Sequence, residues 1–198
     1  MKPCILAFAG SNRRNSYNRR ILAEVVREVE RAGAEVTLVD LRDYDMPLYD
    51  GDWEAEHGLP EAALKLKRLL AEHDGLLLSS PEYNSSISPL LKNTLDWMSR
   101  SAPDEPAPLA SFTGKVAAIV SASPGPYGGV RSLIALRQIL AALRMVVISE
   151  QLTLTRAAAA FDEHGNLTDA AARRQAANVA RVLVETTLKL GTRAVEPV

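Results

Sequence analysis

Cysteine is nearly absent: Cys4 is the only one in 198 residues. No intrachain disulfide can form, and a zinc site built on cysteines is excluded. The three histidines, His57, His73 and His164, stand apart without ligand-like spacing, so surface or capping roles are expected and a metal centre is not. No stretch approaches the ~20 apolar residues of a membrane span. The first apolar run, Cys4-Ile5-Leu6-Ala7-Phe8-Ala9, stops at Gly10-Ser11-Asn12-Arg13, too short for a secretory signal and without its cleavage site. The expectation is a soluble, cytoplasmic chain that makes no membrane contact, with Cys4 a buried structural thiol. An excess of one charge is lacking too, since 23 Lys and Arg stand against 24 Asp and Glu. No overall field would draw in nucleic acid, and any anion site must be local. The chain also has no Gly-Lys-Ser/Thr loop, no Gly-x-Gly-x-x-Gly and no Gly-x-Ser-x-Gly. Those absences weigh against an ATPase, a dinucleotide-binding Rossmann enzyme and a serine hydrolase.

What is present is a regular alternation of short apolar runs with longer amphipathic segments, the mark of βαβ units and a parallel sheet. Nearly half of the residues are apolar, and the length suits one domain over 1–198. Strands are expected at Ile5 to Ala9, Glu35 to Val39, Gly75 to Ser79, Val116 to Ser121 and Met145 to Leu154. Most are apolar on both faces, as a sheet covered by helices on both sides requires. Helical stripes follow from Ile21, Leu22, Val25, Val26 and Val29, and from Ala63, Leu66, Leu69 and Leu70. Two more come from Leu133, Leu136, Ile139, Leu140 and Leu143, and from Val179, Val182, Leu183 and Leu190. Five strands so connected suit the α/β, flavodoxin-like, doubly wound order 2-1-3-4-5, whose ligand site lies beyond the carboxyl ends of the strands. The connections Arg42 to Pro60 and Ala102 to Gly114 are long and rich in Pro, Asp and Glu, as lids or interface segments are.

The loops after strands one, three and four therefore carry the expected chemistry. Gly10-Ser11-Asn12-Arg13-Arg14-Asn15-Ser16-Tyr17-Asn18 offers hydroxyls, a guanidinium and backbone N–H groups where a helix begins, which are the parts of a phosphate cradle. Arg13 supplies a charge-assisted contact, and Ser11, Ser16 and Asn18 supply further donors. A plain reading stands beside it, in which Ser16 is a helix N-cap and the arginines are solvated. Pro81-Glu82-Tyr83-Asn84 presents an aromatic ring, an amide and free backbone groups, suited to a heterocycle edge; alone it also reads as an ordinary turn. The helix after it is marked by Leu90, Leu91, Leu95 and Met98, with Trp97 either helping to bury it or meeting another subunit. After strand four, Ser121-Ala122-Ser123-Pro124-Gly125-Pro126-Tyr127-Gly128-Gly129 lets backbone approach a ligand closely.

At these residues the chain resembles the NAD(P)H-dependent FMN reductase family, which includes chromate and quinone reductases of the flavodoxin-like fold. Gly10-Ser11-x-Arg13-x-x-Ser16-x-Asn18 is similar to the family's phosphate loop. Pro81-Glu82-Tyr83-Asn84, with Leu91-Lys92-Asn93 and Asp96-Trp97, is similar to its flavin loop and the helix that follows. Pro47-Leu48-Tyr49-Asp50 and Gly128-Gly129-x-Arg131 with Leu136-Arg137 extend the likeness over nearly the whole chain. One departure is Ser88-Pro89, where many members have Pro-Gly. The resemblance implies FMN as cofactor, with Ser11, Arg13, Ser16 and Asn18 on its phosphate and Tyr17 beside it. It places Pro81, Glu82, Tyr83 and Asn84 on the isoalloxazine, and Ala122, Ser123 and Gly125 nearby, mostly through backbone. NADPH or NADH would be the co-substrate, and the acceptor a flavin, a quinone, an azo compound or a metal oxyanion. Because the flavin performs the redox chemistry, no catalytic acid, base or nucleophile is nominated. A homodimer or homotetramer is expected, on the long Ala102 to Gly114 connection and on Trp97, Met98 and Tyr127 near the site. Two other functions share the fold: a non-enzymatic electron carrier and a flavin-bound regulatory module.

Overall fold

The structure is a computed structural model, and it describes residues 2–102, 105 and 107–190. Five strands, β1 (Cys4–Ala9), β2 (Glu35–Val39), β3 (Gly75–Ser79), β4 (Val116–Ala122) and β5 (Val146–Leu154), make one parallel sheet in the order β2-β1-β3-β4-β5. Each expected strand is present, with ends shifted by one residue at most. Among the described residues, six α-helices surround it: α1 (Tyr17–Arg31), α2 (Gly51–His57), α3 (Glu61–Glu72), α4 (Pro89–Met98), α5 (Val130–Ala142) and α6 (Ala170–Leu190).

Side chains alternate across the pleat. Ile5, Ala7 and Ala9 of β1, with Leu77 and Val120, pack against Ile21, Val25 and Val29 of α1 and Val179 and Leu183 of α6. Leu6, Phe8, Leu76, Leu78 and Ile119 point to the other face, against Leu66 and Leu70 of α3, Leu91 and Leu95 of α4, and Leu136 of α5. These two cores explain why the strands read as unbroken apolar runs rather than as alternations. Leu190 alone leaves its stripe: it lies at the last turn of α6 and is 44% exposed. Cys4 is half-buried at the start of β1, where burial first, and then the Asp74 and Glu35 carboxylates, hold its thiol above the usual value. His73, in contrast, is buried and bonded on both ring nitrogens, to the Leu69 carbonyl and to Thr37 Oγ1 at 2.7 Å.

The two long connections are less irregular than their composition suggests. Asp40 starts a turn of 3-10 helix, Leu41–Asp43, and Asp50 caps α2 by accepting the N–H groups of Asp52 at 2.8 Å and Trp53 at 3.2 Å. Helix α2 has no buried residue, so no apolar stripe announced it. It is held instead by ring contacts: Trp53 meets Trp97 edge-on at 5.6 Å, and Tyr49 meets Trp97 at 5.0 Å. The Ala102 to Gly114 connection lies partly outside the described residues.

At the carboxyl end of β2, Asp40 pairs with Arg19 and Arg42, both at 2.6 Å. Hydrogen bonding from Arg42, opposed by partial burial and aided by the Arg19 charge, lowers the Asp40 carboxyl to about 2. A depressed carboxylate contributes stability that is complete above its unfolded value of ~3.9 and is lost as pH falls through the folded one. The stability difference between wild type and Asp40→Asn should therefore be full above about pH 4 and fade toward pH 2. Urea titrations at several acidic pH values read this directly; a difference that does not depend on pH would contradict it.

Candidate functional site

Three chain segments leave the sheet side by side at the carboxyl ends of β1, β3 and β4. The first is possible only because residue 10 is glycine: a Cβ there would lie 2.7 Å from the Leu91 Cβ of α4. Gly10 N–H donates to the Ser79 carbonyl at 2.8 Å, and Ser88 Oγ donates to the Gly10 carbonyl at 2.6 Å while accepting the Leu91 N–H at 3.1 Å. Ser88 is thus the N-cap of α4 with Pro89 at its first position, a favourable helix start. The Ser88-Pro89 departure ties the first loop to α4.

The first loop then runs through exposed Arg13 to Ser16, the N-cap of α1. The backbone N–H groups of Tyr17 and Asn18, in the first turn, have no partner among the described residues. Arg13 forms no ion pair among them either. Asn18 differs from its expected part. It is 4% exposed; its Nδ2 donates to the Ala122 carbonyl at 2.9 Å, and its Oδ1 accepts the Ala122 N–H and the Ser79 hydroxyl, each at 3.0 Å. Its amide is committed to clamping α1 onto the ends of β3 and β4, with a single Nδ2 proton left over.

The second loop is fixed from α5. The Ser80 carbonyl accepts Ser121 Oγ at 2.6 Å and Ser132 Oγ at 3.2 Å. Tyr83 and Ser86 bond to each other in both directions across a two-residue turn, in which Asn84 has φ 48° and Ser85 φ 67°. Asn visits this left-handed region readily and Ser does not. The Glu82 carboxylate accepts the Arg131 N–H at 3.1 Å and its Nε at 2.6 Å, and Arg131 also stacks over the Tyr127 ring at 5.1 Å. Helix α5 can begin there only because Gly129, at φ 87°, has no Cβ; one would lie 1.8 Å from Ser121 Oγ.

Ser11, Arg13, Ser16, Tyr17, Asn18, Pro81, Glu82, Tyr83, Ala122 and Ser123 line one open cleft of about 90 Å³, joined by Pro124. Asn84 and Gly125 stand outside this lining. The three residues expected near a ligand after β4 use their backbone N–H groups within the chain. Both backbone groups of Ala122 go to Asn18, the Ser123 N–H goes to the Leu154 carbonyl at 3.0 Å, and the Gly125 N–H goes to Ser123 Oγ at 3.2 Å. The N–H groups of Ala122, Ser123 and Gly125 are thus taken up within the chain, whereas those of the α1 first turn are open. A larger groove of about 290 Å³ shares Ser11 but is walled by Leu22, Leu38, Val39 and Leu41. Its charged groups, Arg19 and Asp40, are paired through Arg19 Nη2, and the Asp40 carboxylate there opposes an anion. No group of three or more metal-ligating side chains occurs among the described residues. None of the described helices is long and apolar enough to cross a membrane.

The Trp97 indole and Asn93 Nδ2 both donate to the Pro47 carbonyl, at 2.8 and 2.9 Å, and Asn93 Oδ1 accepts the Tyr49 N–H at 2.8 Å. The Pro47 to Asp50 segment and α4 are therefore one unit. Trp97, expected either to help bury this helix or to meet another subunit, is fully buried within the chain, as is Met98, so neither is available to a subunit contact.

The profile of a family described as NADPH-dependent FMN reductase matches residues 3–159. This chain belongs to that family. Membership makes it an oxidoreductase that works with FMN and a nicotinamide dinucleotide. Among curated relatives, an NAD(P)H-dependent FMN reductase of Pseudomonas aeruginosa is 37% identical over 170 residues, spanning 85% of this chain and 86% of that protein. A quinone reductase of Escherichia coli is 35% identical over 146 residues, spanning 74% and 73%. Among solved structures, the flavoenzyme NAD(P)H:(acceptor) oxidoreductase FerB of Paracoccus denitrificans superposes with a TM-score of 0.80 at 27% identity, over 95% of this chain and 98% of that one. The donor set fits the phosphate end of FMN: two hydroxyls, a guanidinium in no ion pair among the described residues, and unpaired first-turn N–H groups lie where a helix begins, while the one carboxylate of the lining, Glu82, belongs to the second loop and is paired with Arg131.

Proposed function

We propose that the chain is a reductase that takes hydride from NAD(P)H onto FMN held in the Ser11 to Tyr83 cleft and returns it to a small acceptor, a quinone above all. The observation that carries this reading is the convergence of the β1 and β3 loops on one cleft, with open donors on the first and an exposed aromatic residue, Tyr83, on the second. When bound, FMN supplies the hydride-accepting ring. The chain's own residues bind and orient. Ser11, Arg13, Ser16 and the first turn of α1 hold the phosphate; Pro81, Glu82 and Tyr83 set the ring's edge; and Ala122 and Ser123 close the far wall. The acceptor class draws support from the Escherichia coli relative, whose name is quinone reductase. An electron carrier or a regulatory module would need a partner protein for turnover.

The purified protein with FMN should bleach in its oxidised flavin band when NADPH or NADH is added without oxygen, and recover when a benzoquinone follows. Bleaching without recovery would sink the quinone assignment, and no bleaching with either nicotinamide would sink the reductase reading. We also propose a cytoplasmic homodimer or homotetramer. Of the residues expected at that contact Tyr127, 62% exposed, remains, and Leu48, 79% exposed and held out by the Pro47 and Tyr49 bonds to α4, joins it. Light scattering that returned a monomer at micromolar concentrations would remove it.

A further inference from the structure

Glu82 comes from the loop after β3 and Arg131 from the first turn of α5, yet they form one charged unit. The carboxylate accepts both the backbone N–H and the Nε of Arg131, and Nη2 is close against the same oxygen. The two side chains are placed unequally: that of Glu82 is 8% exposed and lies in the cleft wall, whereas that of Arg131 is 50% exposed and rests on the Tyr127 ring. Negative charge is therefore inside and positive charge is at the rim.

That placement matters because hydride transfer moves charge. The C–H bond of the dihydronicotinamide breaks, an N–H bond forms on the flavin, and the two electrons travel with the hydrogen. The nicotinamide leaves as a cation, and the flavin gains one negative charge. A carboxylate in the wall opposes that gain, and a guanidinium beside it favours it.

We propose that the Glu82–Arg131 pair is the device by which this chain sets how differently it holds oxidised and reduced FMN, with Glu82 also a positioning residue that fastens the second loop to α5. The inference rests on the FMN reading above. A pair that only fastened the loop would, when broken, weaken both redox forms alike. A charge pair has a different signature, because its two halves push in opposite directions and their joint removal nearly cancels.

The test is the ratio of dissociation constants for oxidised and for anaerobically reduced FMN, measured by fluorescence titration for wild type, Glu82→Gln, Arg131→Gln and the double variant. Glu82→Gln should shift the ratio toward reduced FMN by about tenfold, the scale of one charge interaction near a protein surface. Arg131→Gln should shift it the other way, and the double variant should return close to wild type. Arg131→Lys, which keeps the charge and loses the fork, should hold the ratio. If Glu82→Gln does not fold, the contrast between Arg131→Gln and Arg131→Lys still decides. Single variants that shift the ratio in the same direction, or leave it unmoved while both forms weaken, would overturn the proposal. Wild-type protein that bound neither redox form would overturn the FMN reading itself.

Discussion

Asn18→Ala should lower the folding stability by about 3–5 kcal/mol, a loss comparable to that of a large core truncation. Asn18 makes three hydrogen bonds in a position only 4% exposed, to both backbone groups of Ala122 and to the Ser79 hydroxyl. Alanine removes the amide and leaves those three partners without their bonds in a place that water reaches poorly. Each buried group left unpaired costs about 1–3 kcal/mol, and partial relaxation keeps the sum below the full total. The effect also reaches the site. Asn18 lies in the first turn of α1, one residue after Tyr17, and its amide fixes where that helix end stands against β3 and β4. Urea unfolding should show a lower midpoint at unchanged slope. A loss below about 1 kcal/mol would mean that water or a local shift satisfies Ala122, and that the clamp does not hold the loops in register.

The strands were legible because a sheet buried on both faces leaves little room for polar residues, so apolar runs bounded by Gly, Ser and Asp mark it well. Helices α1, α3 and α5 were legible for the matching reason, an apolar stripe over a core. Helix α2 was not, since it buries nothing and depends on Asp50 and on Trp53 against Trp97. At the site, the residue types were readable and their partners were not. Asn18 reads as a donor at a helix start; its actual partner, Ala122, lies 104 residues away. Glu82 and Arg131 each sit in a quoted motif, but nothing local links positions 49 residues apart. The strand-four loop shows the same limit. Its Gly and Ser suggest free backbone, and only the fold reveals that Asn18, Leu154 and Ser123 have taken up the N–H groups of Ala122, Ser123 and Gly125. Trp97 reads equally well as core or as contact until the Pro47 carbonyl is seen to receive its indole.

For Arg13→Ala the expected outcome is the reverse of that for Asn18: a large effect on ligand and almost none on fold. Arg13 is exposed and makes no ion pair among the described residues, so its loss should change folding stability by less than about 0.5 kcal/mol. Arg13 lines the same cleft as the first turn of α1, where a phosphomonoester would take one charge-assisted bond from its guanidinium. Removing such a bond costs about 1.5–3 kcal/mol, or roughly 10- to 150-fold in FMN affinity. Riboflavin, which lacks the phosphate, should bind the variant as it binds wild type, so the FMN-over-riboflavin preference should shrink by the same factor. Raising salt should also weaken FMN more in wild type than in the variant, because an exposed ion contact is screened. Calorimetric titration of both flavins into both proteins reads all of this. An Arg13→Ala protein with wild-type FMN affinity would take the guanidinium out of the site, and equal FMN and riboflavin affinities in wild type would move the phosphate away from the α1 end altogether.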